Sequence, residues 1–254
     1  MNKLSRRIRD RVIFLRDLLN YRRLQPADAV PIRALRPVYR DRHRKPGPLG
    51  AYFHQDLWAA RLVVAARPAR HVDVGSTIGG FVAHCLAFMN VEVVDIRPLA
   101  PAPAGLSFIQ ADAMLMTGFA DGSVPSLSSL HAAEHFGLGR YGDPVDPEAH
   151  ITFMRSLQRV LCPGGRLYFS VPVSDRERVE FNAHRVLHPD TVLAAFDALQ
   201  LCSFALVKDD GRLYQPAEPS DVAGQHYACG LFEFAKSGAT QPGPIEHDRA
   251  AGVE

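Results

Sequence analysis

His71-Val72-Asp73-Val74-Gly75-Ser76-Thr77-Ile78-Gly79-Gly80 decides how the chain is read. A short run of Val and Asp stops at a glycine, and a stretch from Ile78 to Met89, apolar on nearly all sides, follows and ends at Asn90. That change of period predicts a strand, a tight turn and a helix packed against a sheet. Glycine there lets the backbone bend sharply and approach a ligand with no Cβ in the way. A helix that starts just beyond such a turn aims its unpaired N–H groups at the ligand's polar end.

The same alternation runs outward from this stretch. Strands are predicted at Val91 to Asp95, Leu106 to Gln110, Val124 to Leu130 and Arg166 to Val171. The fourth strand of the series is rich in serine and tolerates Pro125 because it falls at its start. Helices are predicted at Ala51 to Ala66, at Asp146 to Leu161 with Pro147 in first position, and at Pro189 to Leu199. Pro163-Gly164-Gly165 reads as the stop of the middle one. Leu201 to Lys208 and Tyr227 to Lys236 close the chain as two strands with no helix between them, hence antiparallel. The fold expected is α/β, a Rossmann-like doubly wound, mostly parallel sheet with an antiparallel closing hairpin.

In such a sheet, ligands sit beyond the carboxyl ends of the strands where the winding reverses. Three successive ends carry suitable groups: the Gly75 turn, Asp95 twenty residues on, and Asp112. A carboxylate placed like Asp95 can accept both hydrogen bonds of a ribose diol, and Asp112 can meet an adenine edge. Asp95 as a helix cap and Asp112 as a turn former are the competing readings.

With these residues in view, the chain resembles the class I S-adenosylmethionine-dependent methyltransferases from about Arg70 to Lys236. Asp73-x-Gly75-x-x-x-Gly79 is similar to their first motif, with Thr77 in place of the middle glycine. Leu161-Cys162-Pro163-Gly164-Gly165-Arg166-Leu167 is similar to the element before their fifth strand. The resemblance implies S-adenosylmethionine as cofactor, bound by Asp73, Gly75, Ser76, Gly79, Asp95 and Asp112. More narrowly, the chain resembles a methyltransferase-like family known only as domain of unknown function 268. Tyr52 to Leu57, His71 to Ser76 and His131 to Pro147, with its Gly139-Arg140-Tyr141-Gly142-Asp143-Pro144 core, carry that likeness.

The acceptor end is expected just past the fourth strand, at His131-Ala132-Ala133-Glu134-His135. An oxygen acceptor needs a base, for which His131 or His135 qualifies with Glu134 orienting one of them. Two histidines satisfying local backbone groups are the plain alternative. His131-x-x-Glu134-His135 also spells an inverted zinc-protease motif, but Gly137 and Gly139 cut short the helix that motif needs, and no metal site is expected. The Arg140 to Pro144 loop, with Asn182, His184 and Arg185, suits a polar small-molecule or glycan-like acceptor. A nicotinamide oxidoreductase is disfavoured by the closing strands and by the lack of a Tyr-x-x-x-Lys pair.

Composition sets the remaining bounds. The 254 residues, 47% of them apolar, suffice for one sizeable core. No apolar run approaches a spanning helix, and no secretory signal is evident. Cys85, Cys162, Cys202 and Cys229 lie far apart without zinc-type spacing, so a reducing, cytoplasmic setting is expected. Residues 1–45 hold 14 Lys and Arg against four Asp, while the rest of the chain is net acidic. Residues 1–48 are therefore read as a basic extension, 49–236 as the methyltransferase-like domain, and 237–254 as a flexible tail.

Within the extension, Leu4, Ile8, Val12, Leu15 and Leu19 recur at helical spacing among arginines. Residues 1–24 then suit an anionic, peripheral membrane surface, an acidic partner, or docking on the domain itself or a second subunit. The lack of Trp, with Phe14 as the aromatic anchor, weighs toward docking. Nucleic acid is not an expected partner, for want of a stacking platform. A catalytically silent binding module recruited through this helix is the alternative to an enzyme.

Overall fold

The computed structural model describes residues 3–26, 32–39, 49–99 and 101–238. The described residues fall into two units, one within Met1–Pro48 and one within Leu49–Glu254. The expected boundary at 45–48 and the tail beyond 238 lie outside the described residues. In the first unit, α1 (Lys3–Leu24) places Arg22 and Arg23 in its last turn, where cations favour the helix dipole. Phe14 meets Tyr39 edge-on at 5.7 Å. No helix among the described residues is long and apolar enough to cross a membrane.

The second unit is built on one eight-stranded sheet. In chain order its elements are α2 (Ala51–Ala66), β1 (Val72–Val74), α3 (Ala83–Leu86), β2 (Val91–Asp95), β3 (Leu106–Gln110), β4 (Val124–Leu130), α4 (Ala149–Val160) and β5 (Leu161–Val173). There follow β6 (Arg178–Glu180), β7 (His184–Val186), α5 (Pro189–Ala195), β8 (Leu199–Val207), β9 (Leu213–Tyr214) and β10 (Ala228–Lys236). The strand order is β3-β2-β1-β4-β5-β10-β8-β9. Neighbours from β3 to β5 pair in parallel, and β10 runs antiparallel to both β5 and β8. The sheet is thus Rossmann-like and mostly parallel, with antiparallel closing strands, as the sequence predicts. The winding reverses between β1 and β4.

Each face of the sheet has its own core. Phe153, Met154, Leu157 and Val160 of α4 and Val192 and Ala195 of α5 cover one face. Trp58, Ala59, Ala60 and Val63 of α2, with Phe81, Val82 and Cys85, cover the other. Burial on both faces is why β1, β4 and β5 read as nearly continuous buried runs.

Several boundaries depart from expectation. The helix predicted over 78–89 is a wide turn at Ile78–Val82 followed by the single turn of α3. Gly80 breaks it, with φ −109° and ψ −106°. α4 starts at Ala149, so Pro147 precedes the helix, and its carbonyl accepts from Arg185 instead. β5 already begins at Leu161, so Pro163-Gly164-Gly165 does not stop α4. The β4–β5 register jumps from Val124↔Leu161 to Ser126↔Arg166, and the glycines bulge out between these pairs. α5 ends at Ala195, and Leu199 already belongs to β8. The small β6–β7 hairpin was not expected; its strands are three residues each, and the Val179-Glu180-Phe181-Asn182-Ala183 alternation that marks it is brief.

The serines of β4 have a clear use. Ser128 Oγ donates to Asp73 Oδ1 at 2.5 Å, and Ser129 Oγ to the Val74 carbonyl at 3.0 Å. His71 lies between Ser126 Oγ (Nδ1, 2.8 Å) and Ser128 Oγ (Nε2, 3.0 Å). Because the Ser128 proton goes to Asp73, Ser128 must accept from His71 Nε2–H, leaving Nδ1 to accept from Ser126. Burial holds His71 neutral, its pKa lowered to about 3. Ser76 completes the knot: its N–H and hydroxyl both bond the Asp73 carboxylate, at 3.1 and 2.6 Å, while its Oγ accepts from Leu130 N.

Two glycines of the turn are demanded by packing and one is not. Gly75 has φ +73°, and a Cβ there would lie 2.9 Å from Ala132 Cβ. A Cβ on Gly80 would overlap the Asp56 carboxylate, whereas one on Gly79 would meet nothing within 4 Å. Gly75→Ala and Gly80→Ala are each expected to cost about 1–3 kcal/mol in chemical denaturation, and Gly79→Ala to stay within about 0.5 kcal/mol of the parent. Equal losses at all three would contradict this packing account.

Candidate functional site

A cavity of about 340 Å³ opens at the carboxyl ends of β1, β2 and β4, across the point where the winding reverses. That volume lies in the usual range for small-molecule sites. Its walls come from five places: Tyr52 on α2, Gly75 and Thr77 after β1, Asp95 to Arg97 after β2, Asp112 and Ala113 after β3, and the loop from His131 to Asp143 after β4. His184 of β7 and Tyr227 close the far side.

The residues expected at a cofactor divide into two groups. Gly75, Asp95 and Asp112 line the cavity. Asp73 and Ser76 do not; they are buried beneath the turn, which they hold in shape through the bonds given above. Burial raises Asp73 to a pKa of about 6 against the pull of the donors it accepts from. Gly79 also lies off the wall.

Asp95 is strongly engaged. Arg97 donates to Oδ1 from Nε at 2.9 Å and from its backbone N–H at 2.8 Å, and to Oδ2 from Nη2 at 2.5 Å. Asp112 accepts from Met114 N at 2.9 Å, a local turn that fixes its carboxylate at the cavity edge.

The acceptor end is built on a left-handed residue. His131 has φ +51°, and its backbone N–H bonds the Ser170 carbonyl of β5 at 3.0 Å. Its Nδ1 bonds Gln55 Oε1, which also accepts from Ser170 Oγ at 2.5 Å, and its ring lies 4.8 Å from that of Tyr52. An Nδ1–H given to Gln55 leaves Nε2 with the free lone pair. Burial first, then the neighbouring histidines, lower His131 to a pKa of about 3.

Glu134 and His135 follow on a single short turn, Ala133–His135. His135 Nδ1 bonds the Ala183 carbonyl at 2.7 Å, so its lone pair also sits on Nε2. Burial lowers its pKa to about 4. Glu134 is 1% exposed, lines the cavity, and leaves Oε2 without a hydrogen-bond partner. Its Oε1 lies 3.7 Å from His135 Nε2, beyond hydrogen-bond reach. Burial raises Glu134 to a pKa of about 8, so the neutral acid is the main form at pH 7.

The surrounding loop is firmly held. Asp143 accepts from the N–H groups of Gly137 and Tyr141, at 2.8 and 3.1 Å. Arg140 Nη1 bonds the Ala183 carbonyl at 2.7 Å. Arg97 and Arg140 each lie 5.2 Å from the Tyr141 ring. Of the polar residues expected to face this space, His184 does so. Arg185 turns inward, donating to the Phe136 carbonyl at 2.6 Å, and Asn182 is exposed away from the wall. No group of three or more His, Cys, Asp or Glu among the described residues is arranged to hold a metal.

Tyr52, Arg97 and Tyr227 are wall residues that the sequence reading did not single out for the site. Tyr52 carried a signal, since it begins one of the stretches similar to the family. Tyr227 and Arg97 had none, being brought in by β10 and by the turn after β2.

Comparison with known proteins is informative about fold. Residues 114–203 match the family described as "Caenorhabditis protein of unknown function, DUF268". No curated protein matches the chain. Among solved structures, the chain is similar to the N-methyltransferase NodS from Bradyrhizobium japonicum WM9, in complex with S-adenosylhomocysteine. They share 16% identity and a TM-score of 0.52, over 79% of this chain and 91% of that one. A Burkholderia thailandensis 1,6-didemethyltoxoflavin-N1-methyltransferase, with 1,6-didemethyltoxoflavin and S-adenosylhomocysteine bound, matches at 18% identity and a TM-score of 0.51. That match covers 73% of this chain and 79% of the other. The 4+2 cyclase SpnF matches at 16% and 0.52, over 76% and 86%. At these identities the likeness is one of fold: the chain has a class I S-adenosylmethionine-dependent methyltransferase-like fold whose residues 114–203 match DUF268.

Proposed function

We propose that this chain is an S-adenosylmethionine-dependent methyltransferase whose acceptor is a polar small molecule or glycan-like group. The observation that carries the reading is a single cavity walled at one end by Gly75, Asp95 and Asp112 and at the other by Glu134, His135 and Arg140. Its parts fit the cofactor. Gly75 puts bare backbone on the cavity wall, Asp95 and Asp112 are acceptors for ribose hydroxyls and an adenine amine, and at the acceptor end Glu134 Oε2 is a buried polar atom still lacking a partner.

Bound there, S-adenosylmethionine supplies a methyl group on a positively charged sulfur, already a good leaving group. The chain's own residues then have two tasks. The first is to hold two molecules in line, which can lower a barrier by about 7–11 kcal/mol. Asp95 has about four lone-pair positions, and Arg97 uses three. A ribose diol needs two, so the Arg97 side chain must give up at least one bond; at 53% exposed, it has room to move.

The second task is to take a proton from an acceptor hydroxyl. His135 presents an unprotonated Nε2 at neutral pH, with its ring fixed by the Ala183 carbonyl. Glu134, neutral and short of a partner, can donate to an acceptor oxygen and set its orientation. Arg140, held by a carbonyl and stacked near Tyr141, adds positive charge at the same end.

Calorimetry with S-adenosylhomocysteine is expected to give one site per chain, and Asp95→Ala to weaken it by about 10–100-fold, as for a lost hydrogen bond to a charged group. Absence of binding by the parent protein at millimolar ligand would sink the proposal. Glu134 gives a pH test. Its folded pKa lies above the ordinary value, so its stabilisation is complete below about 4.5 and is lost as pH rises through about 8. Glu134→Gln removes that loss. The melting temperature of the parent is expected to fall relative to the variant between pH 5 and 9; parallel curves would contradict the buried neutral acid.

A further inference from the structure

α1 carries an exposed apolar stripe whose surroundings say what covers it. Ile8, Val12, Leu15 and Leu19 are 56%, 58%, 56% and 66% exposed. At 3.6 residues per turn the four lie within about 60° of arc on the helix. Arginines border the stripe on both sides, Arg11 and Arg22 along one edge and Arg16 and Arg23 along the other, with Arg7 and Arg9 just outside them. Both acids of the helix fall on the opposite side, the part-buried Asp10 and Asp17, which reaches Arg16 Nη2 at 2.8 Å. Phe14 is also turned from the stripe, toward Tyr39.

We infer that α1 is a docking surface for an anionic lipid bilayer, lying flat with the stripe in the acyl boundary and the arginine rims among the headgroups. A helix that packs on protein needs only its apolar stripe. One that lies in a membrane interface also needs cations at both margins and its acids on the side away from the bilayer, which is the arrangement here. A second copy of the same helix fits poorly, because face-to-face stripes bring two pairs of arginine rims together. Nucleic acid fits poorly as well, since the middle of the basic face is aliphatic. With no aromatic in the stripe, apolar insertion alone is weak, so binding depends on lipid charge.

The full chain, incubated with sedimentable vesicles, tests this. Binding to vesicles of phosphatidylcholine with one-third phosphatidylserine is expected to exceed binding to pure phosphatidylcholine by about tenfold or more, and to fall steeply with added salt. Val12→Asp/Leu15→Asp is expected to abolish it through the stripe, and Arg11→Glu/Arg22→Glu through one rim. An unchanged melting transition in both variants shows that the folded domain is intact. Equal binding to both vesicle types, no binding to either, or retained binding by the stripe variant overturns the inference. Dimers that dissociate in the stripe variant, without lipid binding by the parent, would assign the stripe to a second copy instead.

Discussion

The buried carboxylate of Asp73 is the constraint on which the site depends. It sits under the turn after β1 and receives the Ser76 N–H, the Ser76 hydroxyl and the Ser128 hydroxyl. A carboxyl accepting three donors is best served in its ionised form, yet full burial opposes ionisation. The serines and His71 resolve that conflict, passing hydrogen bonds from Ser126 through the imidazole and Ser128 to Asp73. The result ties β1 to β4 at the place where the sheet's winding reverses, and so fixes the two strand ends that flank the cavity. Such a network is rigid when every member is satisfied and costly when one is missing.

Upon that base, cavity chemistry is divided by position. The end formed by β1, β2 and β3 offers two carboxylates, the exposed Asp112 and the largely covered Asp95 that Arg97 clasps. The end formed after β4 offers groups whose charge is suppressed by burial: neutral His131 and His135 and a neutral Glu134. The acid and the two histidines after β4 are thus kept neutral, with Arg140 as the fixed positive charge beside them. The fold alone does not decide the reaction, since similar structures include a 4+2 cyclase as well as methyltransferases. It is this second end, with its unpartnered Glu134 oxygen, that must distinguish this chain's chemistry.

Much of this was legible in the sequence, for reasons that can be named. α2, β2, β3 and β4 were readable to the residue because breakers mark their ends: Gly50 and Pro68 around α2, Asn90 before β2, Gly105 before β3 and Gly122 before β4. The helix after the glycine turn was not, because Gly80 is there for contact with Asp56, from a helix more than twenty residues earlier. Spacing directs attention to Gly79; only packing shows that Gly80 is the glycine that cannot change. Serine-rich β4 was visible as an oddity but not as a set of cross-strand donors, since its partners His71 and Asp73 lie some 55 residues away. In the same way Asp73 and Ser76 could be assigned to the turn, but not to its underside. The wall residues Tyr52 and Tyr227 come together only through tertiary pairing.

The claim at the centre of this account is that the cavity across β1, β2 and β4 is a site for S-adenosylmethionine, set by the turn that Asp73 anchors. A crystal structure of the protein with S-adenosylhomocysteine tests it most directly. The account predicts the ribose hydroxyls on Asp95, the adenine beside Asp112 and Ala113, and the Arg97 side chain released from at least one Asp95 oxygen. Ligand bound elsewhere, or a cavity left empty with Arg97 still fully clasped to Asp95 at saturating ligand, would contradict it.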